Sequence, residues 1–383
     1  MRRFLSRFDR FGDRRGWLWV GIAIVAIAFA TDLVYRNDPI GVDFHTYLAA
    51  ANVGVQQGWS HIYDQGLVAV EQSELLPNGR VQPFLSPPVV AWLAALLGAL
   101  PYNTAFVAWA VFCLLAFAAA LAFSGVSQGL ARWIAVLGAL APWWVMHAVN
   151  VGQVVPLVAA GTVVGWRLMR DKRDIAAGIV LSLILLKPNT AILVPAALLF
   201  AGRLRAFIAW SGSAGVILVV AALTLGSHGM SAYVSQLTGP LPTGADNLTL
   251  HGALRVSGPI ELALRVLVVG AVLVAAYKLR RSPGLVLPIA IVGSLLAAPY
   301  LHGSDLCLLS AAAWMVWEER PTATWRVPIA VGWLLASPFL DIFGLTPRLN
   351  QWPLLEFILL GALIAVAWRP LTGRADLRTR APA

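Results

Sequence analysis

The sequence predicts an all-α, polytopic membrane protein. Of its 383 residues, 59% are hydrophobic and only 12% are charged, whereas soluble domains carry about 25% charged residues. The mean hydropathy of +0.76 and the 16 tryptophans indicate more apolar surface than a water-soluble domain of this size can bury. The composition therefore excludes a soluble enzyme, a disordered chain and a fibrous protein.

The net charge of +10 is arranged as a topology signal rather than as a nucleic-acid-binding surface. Of the 28 Lys and Arg residues, 21 lie in short clusters between apolar runs. An excess of Lys and Arg in short loops marks the cytoplasmic side of a membrane protein. Both termini are therefore predicted to be cytoplasmic, and no nucleic-acid partner is expected. The clusters occupy 2–15, 167–173, 203–205, 278–281, 320–326 and 369–380.

The apolar runs predict a helical bundle with about 11–13 membrane segments, because about 20 apolar residues cross roughly 30 Å of hydrocarbon. Several candidates are much shorter, and short pairs joined by a polar tip are typical of broken or re-entrant helices. The pair 175–186 and 190–202 is the clearest example. The candidate segments are 17–34, 86–100, 103–124, 132–149, 151–168, 175–186, 190–202, 206–225, 259–277, 284–298, 305–317, 327–343 and 353–368.

One early segment must not cross fully, since five crossings before residue 167 would place the cluster 167–173 outside. Segment 132–149 is the best candidate, because Pro142 interrupts it, although the sequence leaves open whether it spans. A single membrane domain is predicted, with two polar loops on the external side. The predicted division is a basic tail 1–16, a membrane domain 17–368 with external loops 35–85 and 226–258, and a tail 369–383.

The first external loop begins with a carboxylate that could act as a base. Asp43, His45 and Tyr47 follow the first apolar segment closely, and Tyr47 opens a predicted amphipathic helix on the membrane surface. His45 and Tyr47 are candidate substrate-binding residues. Asp43 and Tyr47, at i and i+4, share a helical face, which suits a general base for a hydroxyl nucleophile. The alternative, which the spacing by itself favours, is an N-cap aspartate.

Lys187 interrupts an apolar run, and a cation within a membrane segment is costly unless it pairs with an anion or has a function. Pro188 and Asn189 follow it and free backbone groups that can also bind an anion. Because no carboxylate is near in the sequence, phosphate or carboxylate binding is favoured over a lysine that extends to the interface.

Three further groups of polar residues are candidate substrate-binding sites. Tyr300, His302 and Asp305 follow a predicted span, and His302 with Asp305 could orient a hydroxyl or form a solvated helix end. Asn150 and Gln153 supply amides that suit carbohydrate hydroxyls or satisfy a helix break. Spacing typical of a metal site is absent, so no metal is expected. The second external loop adds Asn247, His251 and the cation Arg255.

These motifs, in order, resemble glycosyltransferase family 87, whose members are polyprenol-phosphate-sugar-dependent enzymes with the GT-C membrane fold. The resemblance covers residues 17–320, and its motifs are individually weak but ordered. The matching residues are Asp43, Tyr47 to Tyr63, Phe84-Leu85-Ser86-Pro87-Pro88, Gly152-Gln153, Leu186-Lys187-Pro188, Gly202-Arg203-Leu204-Arg205, Pro299-Tyr300-Leu301-His302 and Asp305.

The resemblance implies transfer of a sugar, commonly mannose, from a polyprenyl monophosphate to an acceptor hydroxyl on a glycolipid or glycan. Transfer occurs with inversion at the outer face of the plasma membrane and needs no cofactor. Asp43 matches the catalytic base and His302 a histidine near the reacting centre. Lys187 and Arg255 are assigned to the donor phosphate on physical grounds, because fixed cations stabilise a leaving phosphate.

A secondary transporter or lipid flippase is the competing interpretation, because broken spans and an intramembrane lysine also occur in carriers. Carriers place coupling carboxylates near the membrane midplane, whereas most external acids here lie in the loop 35–85. The sequence also lacks an inverted repeat. The transferase is therefore the favoured hypothesis.

Overall fold

The computed structural model describes residues 14–35, 39–125, 128–239 and 248–319, with short pieces at 327, 329–333, 360–361 and 363–365. Every regular element in these ranges is a helix, which confirms the all-α prediction. The α-helices, in order, are α1 Arg14–Tyr35, α2 Val42–Gln57, α3 Gln65–Leu75, α4 Pro88–Ala95, α5 Tyr102–Ser124, α6 Gly129–Leu140, α7 Trp143–Asn150, α8 Val155–Arg170, α9 Asp174–Leu181, α10 Leu193–Phe200, α11 Leu204–Thr238, α12 Leu250–Leu254, α13 Gly258–Lys278, α14 Val286–Ala297 and α15 Cys307–Glu318.

Several of these helices have the length and composition of membrane spans. Among the described residues, α5, α11 and α13 are long and apolar enough to cross a bilayer. Helices α6 and α7 pass the same test together, but they are bent by 74° at their break. The chain is therefore a multi-pass membrane protein, while the total of 11–13 segments stays a prediction.

The break within segment 132–149 has the cause that the sequence indicates. Pro142 follows the end of α6 and precedes α7, and proline can begin a helix but cannot continue one. The 74° bend fits a broken span or a re-entrant loop, so whether this segment crosses stays a prediction.

Two pairs of short helices run in opposite directions and meet at polar turns. Helix α9 continues as a 3₁₀ turn to Leu186, and the chain returns through a second 3₁₀ turn, Pro188–Thr190, into α10. Helices α14 and α15 are joined in the same way by a 3₁₀ turn at Gly303–Leu306. The prediction of a break at Lys187 is confirmed. The cause of the break is Pro188, which disfavours the helical conformation at the residue before it.

The opposite ends of these helices carry ion pairs and define what we call the basic end. Arg170 at the end of α8 contacts Glu319 after α15, with 3.5 Å between Nε and Oε1. Arg203 before α11 contacts Asp174 at the start of α9 at 3.9 Å. The two polar turns therefore lie at the other end of these helices, which we call the polar end.

Helix α2 differs from the predicted surface helix. It begins at Val42 rather than Tyr47, and most of its first three turns are buried within the protein. The run Ala49–Ala51 is fully buried, since small side chains allow α3 and α4 to approach closely. The amphipathic-helix prediction is therefore wrong.

The second predicted external loop is also shorter in structure than in sequence. Residues 226–238 continue α11 beyond a non-helical residue, Gly226, whose φ of 60° and ψ of −171° bend the helix. Glycine tolerates this conformation at little cost. Asn247, one of the candidate binding residues, lies outside the described residues.

Candidate active site

The turn between α7 and α8 is docked against the start of α2. The backbone N–H of Gly41 donates to the carbonyl of Asn150 at 2.7 Å, and that of Asp43 donates to Val151 at 2.9 Å. Gly152 has a φ of +74°, and a Cβ there would lie 2.5 Å from Cβ of Phe44. Only glycine fits this approach, so the turn fixes the position of Asp43.

Asp43 lies in the first turn of α2, where it is half-buried. Its Oδ2 accepts a hydrogen bond from Nε2 of Gln153 at 2.9 Å, and Tyr47 Oη donates to Oε1 of the same Gln153. The prediction that Asp43 and Tyr47 share a face is confirmed. The N-cap alternative is wrong, because Gly41 occupies the N-cap.

Four charged or titratable side chains lie close enough to act on Asp43 electrostatically: Lys187, His302, His147 and Asp305. Burial raises the pKa of Asp43 above its usual range, and Lys187 and the two histidines oppose that increase. The structure thus brings together Asp43 from α2, Lys187 from the α9–α10 break and His302 from the α14–α15 turn.

Lys187 and Asp305 form a buried ion pair with 2.6 Å between Nζ and Oδ1. Asp305 is fully buried and Lys187 is 8% exposed. The other carboxylate oxygen, Oδ2, accepts the backbone N–H of His302 at 2.9 Å. Asp305 therefore joins the two polar turns. Lys187 has no carboxylate near it in the sequence, but the fold brings Asp305 into contact with it.

The same two turns are joined a second time through Asn189. Its Nδ2 donates to the carbonyl of Tyr300 at 3.3 Å. The rings of Tyr300 and His302 are 6.3 Å apart, and His302 is exposed. Tyr300 and His302 thus present an aromatic and an imidazole ring beside the ion pair.

A second histidine–carboxylate pair borders the site and was missed by sequence reasoning. His147 Nδ1 lies 3.2 Å from Oδ1 of Asp32, and Asn150 Nδ2 donates to Oδ2 of Asp32 at 2.7 Å. Asp32 in the first apolar segment was the available signal, because an acid inside such a run marks a polar partner or a function. Asn150 thus lies in this second cluster.

The remaining predicted site residues lie elsewhere. His45 is buried, and its Nε2 is 2.8 Å from the carbonyl of Gln72, so it fastens α3 to α2; burial lowers the pKa of His45. His251 Nδ1 lies 2.8 Å from the carbonyl of Val256. Arg255 is exposed, and the groups that act on Asp43 electrostatically include neither Arg255 nor His251.

Within the described part of the chain, no group of three His, Cys, Asp or Glu side chains has the arrangement to hold a metal ion. A half-buried carboxylate with a lysine in its electrostatic surroundings suits acid–base transfer next to an anionic group.

Fold and site together define a multi-pass membrane protein with a cluster of polar and charged side chains at one end of its helices. The family model for glycosyltransferase family 87 matches residues 84–299, more than half of the chain. The chain belongs to this family and is a glycosyltransferase. No curated protein and no solved structure matches it. Lys187 and Gln153 lie within the matched range, whereas Asp43, His302 and Asp305 lie outside it.

Proposed function

We propose that the protein is an inverting glycosyltransferase that uses a polyprenyl-phosphate-linked sugar, mannose or another hexose, as its donor. The acceptor is a hydroxyl group of a glycolipid or glycan. The observation that supports the proposal most directly is the position of Asp43, a half-buried carboxylate beside Lys187 and His302. A donor of this kind is amphiphilic, so its reaction needs a base and a cation at the membrane boundary.

The proposed reaction is a single displacement. Asp43 takes the proton of the acceptor hydroxyl, and the acceptor oxygen attacks the anomeric carbon of the sugar. The bond between that carbon and the phosphate oxygen breaks on the opposite side, and its electron pair leaves with the phosphate. One displacement of this kind inverts the anomeric configuration, and the negative charge that develops on the phosphate needs a fixed cation.

Lys187 is the proposed cation for the donor phosphate. A lysine ammonium has three N–H donors, and the ion pair with Asp305 occupies one of them. The remaining donors could bind the phosphate while Asp305 holds the side chain in place. Arg255, exposed in the second external segment, is the proposed second cation, and His302 with Tyr300 would contact the sugar.

The direction of the helices supports an external active site. Helix α8 has 16 residues, about 24 Å at 1.5 Å per residue, and it leads from Gln153 at the polar end to Arg170 at the basic end. If Arg-rich loops are cytoplasmic, the site opens outside the plasma membrane. The single membrane domain 17–368 would then place the tails 1–16 and 369–383 in the cytoplasm.

The test is a transfer assay with purified protein in lipid nanodiscs. Radiolabelled polyprenyl-phosphate-mannose is offered with a mixed glycolipid acceptor pool, and other polyprenyl-phosphate hexoses are tested in parallel. Asp43→Asn keeps the side-chain shape but removes the base. The matched control is Asp64→Asn, because Asp64 caps α3 at an exposed position.

We expect label transfer by the wild-type protein and by Asp64→Asn, and a loss of at least 10²-fold for Asp43→Asn with donor binding retained. Equal transfer by Asp43→Asn would overturn the base assignment. If no donor gives transfer and the protein instead moves the polyprenyl-phosphate lipid across a vesicle membrane, the carrier hypothesis is favoured. The broken helices around Lys187 are also typical of carriers.

A further inference from the structure

We propose that Gln153 and Tyr47 are positioning residues for the base, holding Oδ2 of Asp43 so that Oδ1 takes the acceptor proton. This inference rests on the proposed function. It also changes the role of both side chains, which the sequence assigns to substrate binding.

The orientation of the Gln153 amide is determined by its oxygen. Oε1 accepts hydrogen bonds from Tyr47 Oη and from the backbone N–H of Val154 at 3.0 Å. A carbonyl oxygen has two lone pairs, so both are used by donors. The amide nitrogen therefore faces Asp43, because the reversed amide would direct an N–H group at the N–H of Val154 and its oxygen at the Asp43 carboxylate.

The groups that hold this amide are themselves fixed by packing. Tyr47 is 3% exposed and its ring lies 6.1 Å from that of Trp109 and 6.4 Å from that of Phe84. The backbone N–H of Gln153 donates to the carbonyl of Ala148 at 2.8 Å. If either side chain moved away, a buried polar group would be left without its hydrogen-bond partner, which is costly.

The two oxygens of Asp43 are consequently different. Oδ2 accepts from Gln153, whereas Oδ1 has no hydrogen-bond partner among the described residues, and the side chain is only half-buried. A base needs one oxygen open to the hydroxyl that it deprotonates. The chain from Tyr47 through Gln153 therefore selects the reactive oxygen and fixes its direction.

The hydrogen bond from Gln153 also favours the charged form of Asp43. The other groups that act on Asp43 electrostatically are Lys187, His302, His147 and Asp305, and Gln153→Met removes none of them. Without the amide donor, the pKa of Asp43 must rise. Because Asp43 acts as a base only when deprotonated, activity is lost as the pH falls through its pKa, and this acid limb must move to higher pH.

The experiment measures the pH profile of kcat/KM for the acceptor in the nanodisc transfer assay. Gln153→Met keeps the length of the side chain but removes the amide, and Tyr47→Phe removes only the hydroxyl that orients it. The control is Tyr63→Phe, because Tyr63 is equally buried and its hydroxyl donates to the carbonyl of Ser86 at 2.8 Å rather than to Gln153.

We expect the acid limb to move up by about one pH unit in Gln153→Met and in the same direction, by less, in Tyr47→Phe. Tyr63→Phe should keep the wild-type limb. A lower kcat with an unmoved limb in both test variants would show a merely structural role and overturn the inference.

Two further results remain distinguishable. If Gln153→Met fails to fold, Tyr47→Phe decides alone, since it removes a single oxygen atom. If the wild-type protein transfers no sugar, the proposed function is wrong. If the wild-type protein transfers sugar but the acid limb moves in neither test variant, the proposed function stands and only this inference is wrong.

Discussion

At the scale of single residues, the buried pair of Lys187 and Asp305 explains how a cation is kept at the proposed active site of a membrane protein. Taking two charges out of water is expensive, and the pair recovers that cost only while both partners and their other hydrogen bonds are present. Asp305 meets this condition, because it also accepts the backbone N–H of His302.

We expect Lys187→Met to lower the free energy of unfolding by about 3 kcal/mol, because it leaves the Asp305 carboxylate charged and unpaired in the interior. Asp305→Asn should have a similar effect through the lysine. The double variant leaves neither charge without its partner, and the asparagine oxygen can still accept the N–H of His302. Its loss of stability should therefore be smaller than the sum of the losses in the two single variants.

The measurement is denaturant or thermal unfolding of the wild-type protein, the two single variants and the double variant in the same detergent. Strict additivity of the three changes would contradict the coupling. The double variant is also expected to lose donor affinity, since the proposed phosphate contact is absent even where the fold is stable.

At the scale of elements, the turn after α7 decides where α2, the helix that carries Asp43, begins. Its backbone carbonyls accept the first N–H groups of α2, which are the groups that a helix leaves without internal partners. The helix thus needs no side-chain cap, and Asp43 is released from capping for another role. Gly152 makes the close approach possible.

Gly152→Ala should be strongly destabilising and should reduce transfer. The new Cβ would clash with Phe44 at 2.5 Å, and the φ of +74° is unfavourable for alanine. Both effects push the turn away from Asp43. Thermal stability and transfer rate, measured side by side, check the prediction.

Gly212→Ala is the control for that substitution. Gly212 lies inside α11, and a Cβ there meets no other atom within 4 Å. Alanine in a helix interior is favoured over glycine by roughly 0.5–1 kcal/mol, so this variant should be as stable as the wild type or slightly more. A larger loss for Gly212→Ala than for Gly152→Ala would contradict the role given to the turn.

At the scale of the whole molecule, the helices connect a basic end to a polar end that holds the site. Helices α8 and α15 run in the same direction between these two ends, from Gln153 to Arg170 and from Asp305 to Glu319. The proposed topology therefore requires that Glu74, in the last turn of α3, and Asp171, directly after α8, be on opposite sides of the membrane.

Labelling with a membrane-impermeant maleimide on intact cells tests that topology. Cys113 and Cys307 are buried and free, so both are first replaced by alanine. A cysteine in place of Glu74, which is exposed in the last turn of α3, should be labelled on intact cells. A cysteine in place of Asp171 should be labelled only after permeabilisation. The reverse pattern would place the site in the cytoplasm.

The sequence by itself determined the class, the break at Pro188 and the shared face of Asp43 and Tyr47. These features depend on composition and on local helix geometry, which the order of residues fixes directly. The family was also accessible, because its motifs occur in order along the chain. The length of α11 past Gly226 was not, since helix ends depend on packing as well as on propensity.

Only the tertiary structure decided which polar groups meet. Asp305 with Lys187, Gln153 with Asp43, and Asp32 with His147 are partners from distant segments. A hydrophobic pattern states which face of a helix is buried, but it does not state which other helix covers that face. The partner of a buried polar side chain is therefore set by packing, and so is the oxygen that Asp43 leaves open.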